Sequence, residues 1–129
     1  MSLHKGFDGT GQAVPGSHGV TVWYLEDGFQ TRPPETTPAQ AHGSYTGSES
    51  DRQPVSEDVQ ATQLAAAVEL AYCQPAVGGF FNFELRDEPE LSGWQSGVLR
   101  PDWSPKPAYA SYLQAIAAVR AGAISCTPH

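Results

Sequence analysis

Basic residues are scarce in this sequence. Lys and Arg together number 7 against 14 Asp and Glu, a formal net charge of −7. No basic patch is available to neutralise phosphates, so nucleic acid is not an expected partner. The acidic balance bears on solubility rather than on fold. Long apolar runs are also missing. None approaches the roughly 18 residues of a bilayer-spanning helix, so no membrane segment is expected. The opening residues lack the apolar stretch of an export signal. Cysteine is limited to Cys73 and Cys126, with no CxxC spacing, and His4, His18, His42 and His129 are scattered. No metal site and no cofactor are expected from that set.

The two cysteines leave two readings open. A bridge would close a loop of about 54 residues and stabilise the fold by about 4 kcal/mol in the chain-entropy model. The alternative is two unpaired thiols, one buried and one on a loose tail. Each cysteine follows the end of an expected helix, and the composition is acidic and loop-rich. Those features favour a Cys73–Cys126 disulfide in an exported parent protein, and hence an extracellular location.

Glycine and proline, by contrast, are plentiful, at 13 and 11 in 129 residues, and they cluster. Clustering predicts long loops between few regular elements. Residues 1–19 are Gly-rich and expected to be irregular. Residues 20–26 form a short run of β-branched and aromatic residues that is apolar on both alternating faces. That pattern suits a strand buried on two sides, as in a parallel sheet. Residues 27–55 then make a long polar loop. Ser56 is placed to cap a helix over 57–73, with Glu57 and Asp58 favourable in its first turn and Val59, Leu64, Val68 and Ala71 along one face.

Pro75 and Gly78-Gly79 are expected to end that helix, and residues 79–85 to form a second strand. A second polar loop spans 86–106. Pro107 suits the first turn of a last helix over 107–121, which offers Tyr109, Tyr112, Leu113, Ile116 and Val119 to a core. Gly122 is a plausible stop, and residues 123–129 are expected to be a loose tail. The order strand, helix, strand, helix predicts an α/β unit with parallel strands joined by a right-handed crossover. In barrels and doubly wound sheets, function sits in the loops after the strands, and here those loops are long and rich in Trp, Asp and Glu.

Carboxylates stand at both strand ends: Glu26 after the first, Asp87 and Glu88 after the second. Neighbouring strands lie about 4.8 Å apart, so such groups can approach the roughly 5 Å separation used by retaining glycosidases. Asp87 and Glu88 also read as ordinary loop charges. Two longer patterns add to this. Val20 to Thr31, VTVWYLEDGFQT, resembles the seventh barrel strand of clan A glycoside hydrolases: an apolar strand, then Glu, a variable residue and Gly. Phe80 to Tyr109, FFNFELRDEPELSGWQSGVLRPDWSPKPAY, resembles their eighth strand and the loop after it, through Leu85-Arg86-Asp87, Gly97-Val98-Leu99, Asp102 and Lys106-Pro107-Ala108-Tyr109. The resemblance covers about residues 15–122, and family 5-like and family 39-like relatives fit equally.

The resemblance implies a partial (β/α)8 barrel, with residues 20–122 as its C-terminal quarter. It implies Glu26 as the nucleophile of a retaining O-glycosyl hydrolase acting on an oligosaccharide or polysaccharide. The acid/base of these families follows the fourth strand in an Asn-Glu-Pro-type motif, which this sequence lacks. Many relatives carry Trp where Asn82 stands. Asn82 can hydrogen-bond a sugar hydroxyl instead, Asp87 stands at the same strand end, and Trp94 and Gln95 can contact sugar from the following loop. For Trp94, anchoring the loop is as natural a role, and Trp23 and Tyr24 suit a core.

A complete barrel takes about 250 residues and eight strands. Two strands leave edges and apolar faces uncovered, so self-association of the chain is expected. Two function classes remain open: the C-terminal portion of a glycoside hydrolase, inactive without the missing strands, and a non-catalytic binding or interaction module on the same scaffold.

Overall fold

A computed structural model of the chain describes residues 21–33, 45–49 and 53–126. The expected irregular segment 1–19, the middle of the 27–55 loop and all four histidines lie outside them. The element order is β1 (Val22–Asp27), α1 (Glu57–Tyr72), β2 (Val77–Asn82) and α2 (Pro107–Arg120). The two strands pair in parallel, with Tyr24 opposite Phe80 and Asp27 opposite Asn82, and the register shifts twice along the ladder. The described residues therefore form an α/β unit of two parallel strands and two helices, as the alternation of patterns predicts.

The helix limits follow from local chemistry. The Ser56 hydroxyl accepts from the Val59 amide at 3.3 Å and caps α1, whose first turn carries Glu57 and Asp58 against the positive end of the helix dipole. At the other end of α2, the Ala123 amide donates to the Ala118 carbonyl and the Gly122 amide to Val119. Gly122 has φ +63°, which completes the left-handed cap.

The second strand starts and ends earlier than expected. Gly78 and Gly79 lie inside β2 rather than in a turn before it. The Trp23 side chain lies across them, and a Cβ at Gly78 would stand 2.9 Å from its indole nitrogen. The strand ends at Asn82, and a cis peptide joins Phe83 to Glu84. Helix α2 turns only part of the expected stripe to the core: Tyr112 packs there, with Ile116 and Val119 half-buried. Ala108 and Ala115 are its buried residues, while Tyr109 and Leu113 are exposed. Small side chains let α1 and α2 approach closely, and the core forms around Ala61, Leu64, Val98 and Ala108. Phe29, Phe80, Leu99 and Tyr112 pack against it.

Among the described residues the sheet is covered on one face only. Phe80, with Tyr24 edge-on to its ring, lies on the core side. On the other face Trp23 and Phe81 stack with centroids 5.8 Å apart, and Trp23 and Leu25 are 57% and 63% exposed. The expectation of a strand buried on two sides is met on one side in this chain.

Cys73 and Cys126 form a disulfide, with Cα atoms 5.3 Å apart. It joins the segments just beyond the C-terminal ends of α1 and α2. Replacing both cysteines by serine should lower stability by about 4 kcal/mol, given the 53-residue separation. Urea denaturation of that variant checks the figure, and mass spectrometry of unreduced protein showing two thiols would refute the bridge.

Candidate functional site

The loops that follow the two strands are stitched into one layer. The Thr31 amide and hydroxyl both donate to the Gln95 carbonyl, at 3.1 and 2.8 Å. The Gln95 amide donates to Gln30 Oε1 at 2.9 Å, and Gln30 Nε2 returns a bond to Gln95 Oε1 at 2.5 Å. Gln60 reaches up from α1, and its Nε2 donates to the carbonyls of Phe29, Ser96 and Gly97 at 3.0–3.2 Å. A buried amide belongs in such a role because its N–H groups, taken from water, need partners, while the Gln60 Oε1 has none among the described residues.

At the centre of this layer lies a buried ion pair. Lys106 Nζ is 2.6 Å from Asp87 Oδ2, and both side chains are fully buried. Lys106 also donates to Thr31 Oγ1 at 2.8 Å and to the Gln95 carbonyl at 3.0 Å. Asp87 accepts from the Tyr45 hydroxyl at 2.5 Å and from the Gly97 amide at 2.8 Å. Burial pushes the Asp87 carboxyl up and the Lys106 ammonium down, and their mutual attraction opposes both shifts. Burial and the neighbouring Asp87 charge drive the Tyr45 hydroxyl far above its ordinary value, so it stays a proton donor. Tyr45 is held in place by Thr46, whose amide donates to the Pro89 carbonyl while its own carbonyl accepts from Leu91.

A second clamp closes the outer edge. Arg100 makes a forked pair with Glu57 at the start of α1, Nε to Oε1 at 2.9 Å and Nη2 to Oε2 at 2.5 Å, and donates to the Pro105 carbonyl at 2.9 Å. Its guanidinium is thereby held more firmly charged.

Of the residues singled out from sequence, Glu26 is exposed at the C-terminal end of β1 and makes no hydrogen bond or ion pair with another described residue. Trp94 is exposed and sets its ring edge-on to Phe83 at 5.8 Å. Asn82 ends β2, and its Nδ2 donates to the carbonyls of Glu84 and Ser96 at 2.7 and 3.1 Å. Asp87 and Gln95 turn out to be internal. Each is about 1% exposed, and their polar atoms are used to hold loops. In this arrangement neither offers an atom to a sugar, nor is Asp87 a solvated loop charge. The pairing of strand-end carboxylates therefore does not run through Asp87.

Several residues of the site are not singled out as site residues by the sequence reading. Lys106 and Tyr45 are the partners of Asp87, and Glu84 is a partly buried carboxyl beside Asn82. Lys106 had one signal: a cation at the N-cap of a helix opposes the helix dipole and calls for a partner elsewhere. Tyr45 had another, as an aromatic side chain within a Gly/Ser cluster. Among the described residues no group of His, Cys, Asp and Glu has a metal-binding arrangement. Comparison with known proteins gives no match: no family model, no curated protein and no solved structure aligns with the chain.

Lys106→Met should lower stability by about 3–5 kcal/mol, because it strands the buried Asp87 charge. Adding Asp87→Asn should recover part of that loss, since it removes the stranded charge, the amide oxygen still accepts from Gly97 and the amide nitrogen can donate to the Tyr45 hydroxyl. A double-mutant cycle by urea denaturation checks the coupling, and simple additivity of the two single changes would show that there is none.

Proposed function

We propose that this chain is the C-terminal portion of a retaining glycoside hydrolase built on a (β/α)8 barrel, with Glu26 as the nucleophile. The observation that carries this reading is the setting of Glu26. It is an exposed carboxylate without a partner among the described residues, at the C-terminal end of a parallel strand, beside loops fixed by the Asp87–Lys106 network. Catalytic groups of parallel α/β folds stand at that end, on a rigid rim. The sequence patterns around Glu26 and in residues 80–109, similar to the seventh and eighth strands of clan A glycoside hydrolases, supply the reaction class.

In that reaction Glu26 attacks the anomeric carbon of a glycan and forms a covalent glycosyl-enzyme, as the bond to the leaving oxygen breaks. A second carboxylic acid protonates the leaving oxygen and afterwards takes a proton from the attacking water. That acid/base belongs to the part of the barrel outside the two strands described. Trp94 lies on the same loop layer and offers its exposed ring to a sugar face. The uncovered face bearing Trp23, Leu25 and Phe81 fits the same reading, because in a barrel it would be covered by further strands and their side chains.

Two measurements test the reading. In the intact enzyme, Glu26→Ala should abolish turnover of aryl glycosides, whose good leaving group relaxes the need for the acid. Azide should then restore turnover by direct attack. Wild-type rates in a Glu26→Gln enzyme would rule Glu26 out, and the 129-residue chain alone should show no appreciable activity. On its own the chain should also self-associate through the uncovered sheet face and open strand edges. Light scattering at micromolar concentration giving only a 13.8 kDa species would contradict that.

A further inference from the structure

Beside Glu26 the end of β2 gathers polar atoms that the fold itself does not use. Asn82 Oδ1, Glu84 Oε2 and Ser96 Oγ are all buried, and none has a hydrogen-bond partner among the described residues. Ser96 is 3% exposed. The three residues form one cluster, because Asn82 Nδ2 donates to the carbonyls of both Glu84 and Ser96. The cluster is fastened to the end of β1. The Phe83 amide donates to the Asp27 carbonyl at 2.7 Å, and Asp27 pairs with Asn82 across the ladder. Gly28 lies so close that a Cβ there would collide with the Phe83 carbonyl oxygen and come within 3.0 Å of Ser96 Cβ. Glu84 thus follows directly on the peptide that packs against Gly28, two residues beyond Glu26. Leaving buried polar groups unbonded is costly, and in a native protein such groups mark a place that a ligand or ordered solvent completes.

We propose that Glu84, Asn82 and Ser96 form a hydroxyl-binding subsite next to Glu26, in which Glu84 fixes the orientation of the bound sugar. The proposal rests on the glycan reading above. The donor and acceptor pattern suits a neutral hydroxyl. Asn82 Oδ1 accepts, the Ser96 hydroxyl does either, and a carboxylic acid does both. Desolvation, then the charges of Glu88 and Asp87, hold the Glu84 carboxyl protonated to higher pH than usual, against the opposing pull of Lys106 and Arg86. The surrounding acidic residues disfavour an anionic ligand. A hard cation of the calcium type takes 6–8 oxygen ligands, more than the three open oxygens here supply.

A carboxyl whose folded value is raised stabilises the fold fully only below its unfolded value, and that contribution is lost as pH rises. Glu84→Gln should therefore unfold at a higher temperature than wild type at pH 7, with the difference vanishing in acid. A lower midpoint for Glu84→Gln at pH 7 would make Glu84 a structural residue and overturn the proposal.

Binding is read on the isotope-labelled 129-residue chain by NMR, with cellobiose, xylobiose and mannobiose as probes. At least one should move the Glu84 side-chain carboxyl and Asn82 side-chain amide signals. Glu84→Ala should weaken that binding about tenfold, the loss expected of one hydrogen bond to a buried acid. Glu84→Gln should stay within about twofold, and Glu69→Ala on the exposed side of α1 should change nothing. If a disaccharide moves Glu26 and Trp94 but leaves Glu84 and Asn82 still, the subsite is wrong while the glycan reading stands. If none of the three moves any of these signals, the subsite is overturned, while the glycan reading is decided by the Glu26→Ala test on the intact enzyme. If calcium chloride moves Glu84 and Asn82 in place of the sugars, the cluster is a cation site and the proposal is overturned.

Discussion

The Asp87–Lys106 pair is the contact on which the rest of this structure depends. It joins the loop after β2 to the start of α2, and its remaining hydrogen bonds reach Tyr45, Thr31, Gln95 and Gly97. Removing two charges from water is expensive, and attraction alone rarely compensates. Here every lone pair and proton that can be satisfied is satisfied by a group of fixed position. The interaction therefore contributes more to specifying one loop arrangement than to raw stability. Around it the small apolar core of Ala61, Leu64, Val98 and Ala108 supplies the non-directional part.

What the sequence could reveal depended on the range of the interaction. Both helices were readable because their signals are local: Ser56 with its acidic first turn, Pro107 at the start of α2 and Gly122 at its end. The parallel pairing followed from the order of elements. The limits of β2 did not, because Gly78-Gly79 is a turn signal in isolation and a strand here, where Trp23 lies across it. The buried stripe of α2 was only partly read, for a related reason. Large residues look like core residues in sequence, but a close helix pair selects Ala108 and Ala115 and turns Tyr109 and Leu113 outward.

The candidate site divides along the same line. Glu26 could be singled out because a strand end is readable locally, and both it and Trp94 are exposed. Asp87 and Gln95 were noticed for their chemistry, yet that chemistry is consumed inside the fold. Nothing near Asp87 in the sequence announces that its partner is 19 positions away at Lys106, or that Tyr45 completes the set. Glu84 escaped notice because its unusual state comes from burial and from charges brought near it by folding.

The disulfide divides the molecule into two parts of different standing. Cys73 and Cys126 close a covalent ring that encloses β2, the whole 83–106 loop and α2. Strand β1, with Glu26, lies outside the ring and is held to it by hydrogen bonds and packing, such as Val22 to Ala76 and Phe83 to Asp27. A partial opening of the fold can therefore release β1 while the ring keeps its circumference. The loop rim after β2 outlasts the strand that carries Glu26, the proposed nucleophile, and amide exchange, faster in β1 than in β2, would record that order.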